Sequence, residues 1–132
     1  MERQSEQIAR AETRVTKLVF PHNTNPIRTL YGGTAMQWLD EVAFLTATRF
    51  SRQQMVTVCM DRIDFKIPIP EGSIVELVGR VESVGNTSVK VLVELYKEAM
   101  PEGDQQLAVS GELTFVAVDE NMQPTAVTPG RG

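Results

Sequence analysis

The sequence is poor in the residues that build metal and redox sites. Cys59 is the only cysteine in 132 residues, so no internal disulfide can form, and the single histidine, His22, leaves no two-His or Cys/His ligand set. Its carboxylates show no calcium-loop spacing, and Gly-x-Ser-x-Gly is absent. Neither a metal nor a cofactor is expected, and a serine triad has no basis. Basic runs are missing too: 13 Lys and Arg against 17 Asp and Glu leave a formal charge of −4, which argues against non-specific nucleic-acid binding. No apolar run approaches the roughly 20 residues that span a bilayer, so no membrane partner is expected. Met1 is followed by the polar Glu2-Arg3-Gln4-Ser5 rather than a signal-peptide core. The expectation is a cytoplasmic protein with a single domain over 1–132, whose polar ends, 1–12 and 121–132, fray.

What the chain does contain is a change of period. Over 34–51, Ala35, Leu39, Val42, Ala43, Thr46, Ala47 and Phe50 recur at helical spacing, and about 100° per residue gathers them into one stripe that should be buried. Trp38 and Leu45 fall off that stripe and suit either a broad core or an interface. From residue 56 the period becomes two: Val75, Leu77, Gly79 and Val81 alternate with Glu76, Val78, Arg80 and Glu82. Val89 to Leu95 and Leu107 to Phe115 repeat the pattern, and 15–20 and 56–65 supply two more strands. Cys59 lies in a strand pattern and reads as a small core residue. The two-sided pattern of 57–65 suits a strand buried on both faces. Gly85-Asn86 and Glu102-Gly103-Asp104 are turn sequences that join the last three strands as antiparallel hairpins, and 68–72 turns the second strand into the third. Strands of eight or more residues exceed the usual five or six and suit a sheet curled around the helix. This is an α+β arrangement, a curved antiparallel sheet of about five strands wrapped around one long central helix, known as the hotdog fold.

Two features near the helix bear on chemistry. On a helical wheel Asp40 falls at the rim of the apolar stripe, between Met36 and Phe44, while Glu41 points about 100° further out. A half-desolvated carboxylate resists ionisation and is suited to general-base work, although a solvated helix aspartate is the plainer alternative. Gly32-Gly33 open the helix, where glycine admits a ligand close to the backbone and the first N–H groups have no internal partner. Such donors can stabilise an oxyanion, with Gly33 the preferred one, or the pair can simply make a tight turn. Asn25 can orient a water or a carbonyl, or close an Asx turn with Pro26, and Asn23 stands in the same loop. Gly85, Asn86, Thr87 and Ser88 form a turn whose amides and hydroxyls can cradle phosphate or pantetheine oxygens, or only reverse the chain. Arg62, Lys66 and Lys90 are candidate cations.

Taken in order, Asn23-Thr24-Asn25, Tyr31-Gly32-Gly33, Leu39-Asp40-Glu41-Val42-Ala43, Met60 to Phe65, Pro68 with Gly72, and Gly85-Asn86-Thr87-Ser88 resemble the hotdog acyl-CoA thioesterases of the cytosolic acyl-CoA hydrolase type. The resemblance spans about 15–118. It implies hydrolysis of a fatty acyl-CoA, with Asn25 and Asp40 as the catalytic pair and the turn at 85–88 bordering the CoA site. Arg62 ranks first among the cations because it lies inside a matching segment. The resemblance also implies homodimers assembling into a homohexamer, with each site between two protomers. The tail over 121–132 carries only Arg131 as a cation, so a basic tail contact to CoA is not expected. Two rivals remain. Asn23-Thr24-Asn25-Pro26-Ile27-Arg28 copies the frame of a MaoC-like enoyl-CoA hydratase motif but lacks its acid and its histidine. A non-catalytic acyl-CoA-binding or regulatory module has the same pocket but no use for a rim carboxylate.

Overall fold

The computed structural model of the chain describes residues 2–128. A helix α1 (Glu2–Ala11) leads into strand β1 (Thr13–Leu18), and a short 3-10 turn (Pro21–Asn23) precedes helix α2 (Gly32–Ser51). Strands β2 (Met55–Phe65), β3 (Ile74–Val84), β4 (Ser88–Glu98) and β5 (Gln105–Ala117) follow. They make one antiparallel sheet of order β1-β3-β4-β5-β2. The turns at 85–88 and 102–104 join β3, β4 and β5 as hairpins, but the segment 68–72 carries the chain from one edge strand to the far side of the sheet, so β2 and β3 are not neighbours.

The apolar stripe of α2 is buried as its periodicity predicts: Ala35, Leu39, Val42, Ala43, Thr46, Ala47 and Phe50 all face the sheet interior. Two glycines admit close packing on the inner face of the sheet, Gly79 against the helix and Gly111 against β2. A Cβ on Gly79 of β3 would meet Val42 Cγ1 at 3.0 Å and come closer still to Thr46 Oγ1, and one on Gly111 of β5 would collide with Ile63. The alternation also holds in β4, where Val89, Val91, Val93 and Leu95 are fully enclosed. Trp38 joins the core with the Lys17 ammonium 5.1 Å from its ring centroid, whereas Leu45 stays exposed.

Four expectations need correction. The first residues do not fray through 12, because α1 occupies Glu2–Ala11. Arg49 of α2 holds the end of this helix and the residue after it, donating to Arg10 O and Glu12 O at 3.0 Å each, a tertiary contact that local pattern does not reveal. At the other end, Thr125 N donates to Ala117 O and Val127 N to Asn86 O, so the tail is tied down that far; Arg131 lies outside the described residues. Cys59 is exposed rather than in the core. The β2–β5 register slips between Thr57 and Cys59, so Thr57 pairs with the inward Phe115 while Cys59 pairs with the outward Thr114. Finally, β2 is an edge strand largely exposed in the single chain, not one buried on both faces.

Candidate active site

Asp40 sits half-buried in the third turn of α2. Met36, Asp40 and Phe44 stand four residues apart and form one column on the helix surface, and Met36 and Phe44 are 37% and 43% exposed. The carboxylate therefore lies within an apolar strip that the chain itself leaves uncovered. Thr57 Oγ1, reaching from β2, donates to Asp40 Oδ1 at 2.9 Å. No partner holds Oδ2 among the described residues. One oxygen is fixed and the other is open to a water, which is how a carboxylate accepts a proton in a defined direction. Thr57 was not singled out by sequence reasoning; the only available signal was its inward phase in the strand, and the slip just after it obscures that phase.

The start of α2 offers donors. Tyr31 N bonds to Asn23 O at 2.8 Å and Ala35 N to Tyr31 O at 3.0 Å, and no side chain caps the helix. Among the described residues the N–H groups of Gly32, Gly33 and Thr34 have no partner. The missing side chains matter: a Cβ on Gly33 would press on the Tyr31 ring at 3.2 Å, and one on Gly32 would stand 3.8 Å from Phe65. With the helix dipole behind them, these amides form a ready anion-stabilising end.

Asn25 and Asn23 turn out to organise their own loop. Asn25 Oδ1 accepts from Ile27 N and Thr29 N, both at 3.1 Å, and Asn25 Nδ2 donates to Thr29 Oγ1 at 2.9 Å. Asn23 Oδ1 accepts from Phe20 N at 2.9 Å. The amide of Asn25 keeps one N–H free of these bonds, and no bond within the chain joins it to Asp40.

The remaining candidates lie elsewhere. The turn Gly85–Ser88 is two strands from β2, at the sheet end where α2 finishes, while Gly32 and Gly33 lie at the opposite end. Its Asn86 O and Thr87 O are occupied by Val127 N and Ala117 N. Arg62 falls in a second register slip of β2, with φ 52°, and its guanidinium lies 3.9 Å from Glu112 on the outer face of the sheet. Lys90 reaches the same Glu112 at 3.8 Å, and Lys66 pairs with Asp64 at 2.7 Å. A single chain thus joins Asp40 with Thr57 but leaves Asn25, Gly33, Arg62 and the turn apart from them. No helix is long and apolar enough to cross a membrane, and no cluster of three His, Cys, Asp or Glu able to hold a metal occurs among the described residues.

Comparison with known proteins fits this geometry. The profile of the thioesterase superfamily matches residues 28–103. An uncharacterized acyl-CoA thioester hydrolase of Bacillus subtilis is 41% identical over 118 residues, covering 88% of this chain and 69% of the relative. The solved structure of an acyl-CoA hydrolase from Staphylococcus aureus, in complex with butyryl-CoA, CoA and CoA disulfide, superposes with a TM-score of 0.89 at 34% identity, over 92% of this chain and 74% of that one. An apo-hexameric acyl-CoA thioesterase gives a TM-score of 0.87 at 36% identity, over 92% and 78%. The Staphylococcus aureus enzyme has also been solved with an asparagine, an aspartate and a threonine each replaced by alanine, residues 15 and 17 positions apart in sequence. Asn25, Asp40 and Thr57 have that same spacing. By fold and by sequence, the chain belongs to the thioesterase superfamily, among the hotdog-fold acyl-CoA thioester hydrolases.

Proposed function

We propose that the protein hydrolyses a fatty acyl-CoA thioester to the free acid and CoA, with Asp40 directing the attack of water and a helix N-terminus holding the oxyanion. The observation that carries this is the divided carboxylate of Asp40, one oxygen on Thr57 and the other open. In the step itself, Oδ2 takes a proton from water as the oxygen attacks the thioester carbon. The carbonyl oxygen gains negative charge and is met by the Gly33 N–H. Collapse of the adduct breaks the C–S bond, and CoA leaves as the thiolate, which takes up the proton. Losing one oxyanion donor typically costs about 10²–10³ in rate.

Along one helix Gly33 and Asp40 are two turns apart, about 10 Å. A thioester bridges them more readily when a second copy of the chain brings its own helix start and its own Asn25 to Asp40. Two features support such a copy: among the described residues β2 is an eleven-residue edge paired only with β5, and the Met36–Asp40–Phe44 strip is uncovered. The assembly we propose is a homodimer building a hexamer, with CoA phosphates met by Arg62 and by the turn Gly85–Ser88, and with no cofactor beyond the CoA of the substrate. Mixing Asp40→Asn with Asn25→Ala protein after mild dissociation tests the shared site. Recovered thiol release from two inactive variants is expected, and no recovery would show that each chain works alone.

A further inference from the structure

An apolar cavity of about 260 Å³ opens beside the start of α2, lined chiefly by Leu30, Ala35, Phe65, Ile67, Ile69 and Val109. Leu30 and Ala35 bracket Gly32 and Gly33 in sequence, and the Phe65 ring lies 3.8 Å from where a Cβ on Gly32 would stand. The cavity therefore adjoins the open amides of the helix. Leu30, Ala35, Ile69 and Val109 are buried and give it a fixed back wall, whereas Phe65 is 52% exposed and stands at the mouth. Two residues along β5 from Val109, Ile63 packs over Gly111 so tightly that no Cβ fits there, and Leu39 lies 3.5 Å from the same point. Ile63 thus fills the layer of the core next to the cavity, on the side that leads into the sheet. The charged residue on the wall, Lys66, has its ammonium on Asp64. A pantetheine arm would bury amide groups against this wall without partners, while a hydrocarbon chain needs none.

We infer that this cavity is the acyl pocket and that it selects medium-length chains, with Ile63 setting the limit; this rests on the hydrolase reading of Asp40. A methylene takes about the volume of one water molecule, roughly 30 Å³, so a 260 Å³ cavity holds on the order of eight carbons. Each methylene that finds apolar wall should raise kcat/KM about fourfold, and further carbons that find none should add nothing.

The test is thiol release from saturated acyl-CoAs, acetyl to palmitoyl, together with equilibrium binding of the matching non-hydrolysable thioethers. The wild type, Ile63→Ala and Ala35→Val are compared, with thermal melts to verify folding. The wild type is expected to climb from butyryl to an optimum near octanoyl and then level or fall. Ile63→Ala should move that optimum at least two carbons longer, and Ala35→Val should lower octanoyl turnover about tenfold more than butyryl turnover. Hydrolysis that is flat from butyryl to palmitoyl, or an optimum unmoved in both folded variants, would overturn the pocket while leaving the hydrolase intact. If the wild type released no thiol, the hydrolase reading would fail, and the thioethers would still decide the pocket: affinity rising with length to about octanoyl supports it, and affinity indifferent to length refutes it.

Discussion

At the scale of single residues, the roles proposed for Asp40, Thr57 and Asn25 can be separated by substitution. Thr57→Val keeps the shape but removes the donor to Asp40 Oδ1. A hydrogen bond to a charged group is worth about 1.5–3 kcal/mol, so kcat/KM should drop about ten- to a hundredfold with the melting temperature nearly unchanged. A change below twofold would remove Thr57 from the site. Asn25→Asp retains the acceptor for Ile27 N and Thr29 N but loses the amide donor. Stability close to wild type with a large loss of turnover is expected if that amide serves substrate. Equal loss of both would confine Asn25 to its loop. Asp40 was legible because its rim position follows from the helical period alone. Thr57 was not, because a bulge one residue later hides which face of β2 it shares with the helix. The tight loop bonds of Asn25 were half-legible, as the Asn-Pro pair announces an Asx turn but not its second partner at Thr29.

At the scale of elements, the close seating of α2 on β3 depends on Gly79. Gly79→Ala would push a methyl into Thr46 and Val42, and such overpacking costs about 1–3 kcal/mol, readable as a lower urea midpoint. An unchanged midpoint would mean that α2 shifts freely. Helix α1 hangs on charges as well as packing. The Arg80 side chain, and Arg14 after it, hold Glu12 below the usual glutamate range against a desolvation that pushes the other way. A carboxyl whose folded value is depressed stabilises the fold above its ordinary value near 4.3 and loses that contribution as pH falls through the folded value. Glu12→Gln should therefore flatten the acid limb of the stability curve, measured by denaturation between pH 3 and pH 6. An identical acid limb in the variant would show the cluster to be inert. The long helix and the strands β3, β4 and β5 were readable because their apolar periods run over many residues. The helix α1 was not, since its end is capped by Arg49 from far along the chain. Nor was the exposure of β2, because its apolar residues match a core strand although the strand lies at the edge of the sheet.

At the scale of the whole molecule, the single chain leaves the Asp40 carboxylate within an uncovered apolar strip. An edge strand of eleven residues and the strip around Asp40 are uncovered in the single chain, so the assembly proposed above predicts a solution mass of at least a dimer by light scattering. An active monomer would contradict a site shared between protomers. The hydrolysis itself is tested most directly by thiol release from a panel of short-, medium- and long-chain acyl-CoAs, run side by side on wild type and Asp40→Asn. Turnover by the wild type, reduced at least a hundredfold in a variant that melts normally, is the expected result. Acyl-CoA bound but not cleaved by the wild type, or cleaved equally well by Asp40→Asn, would contradict a hydrolase driven by Asp40.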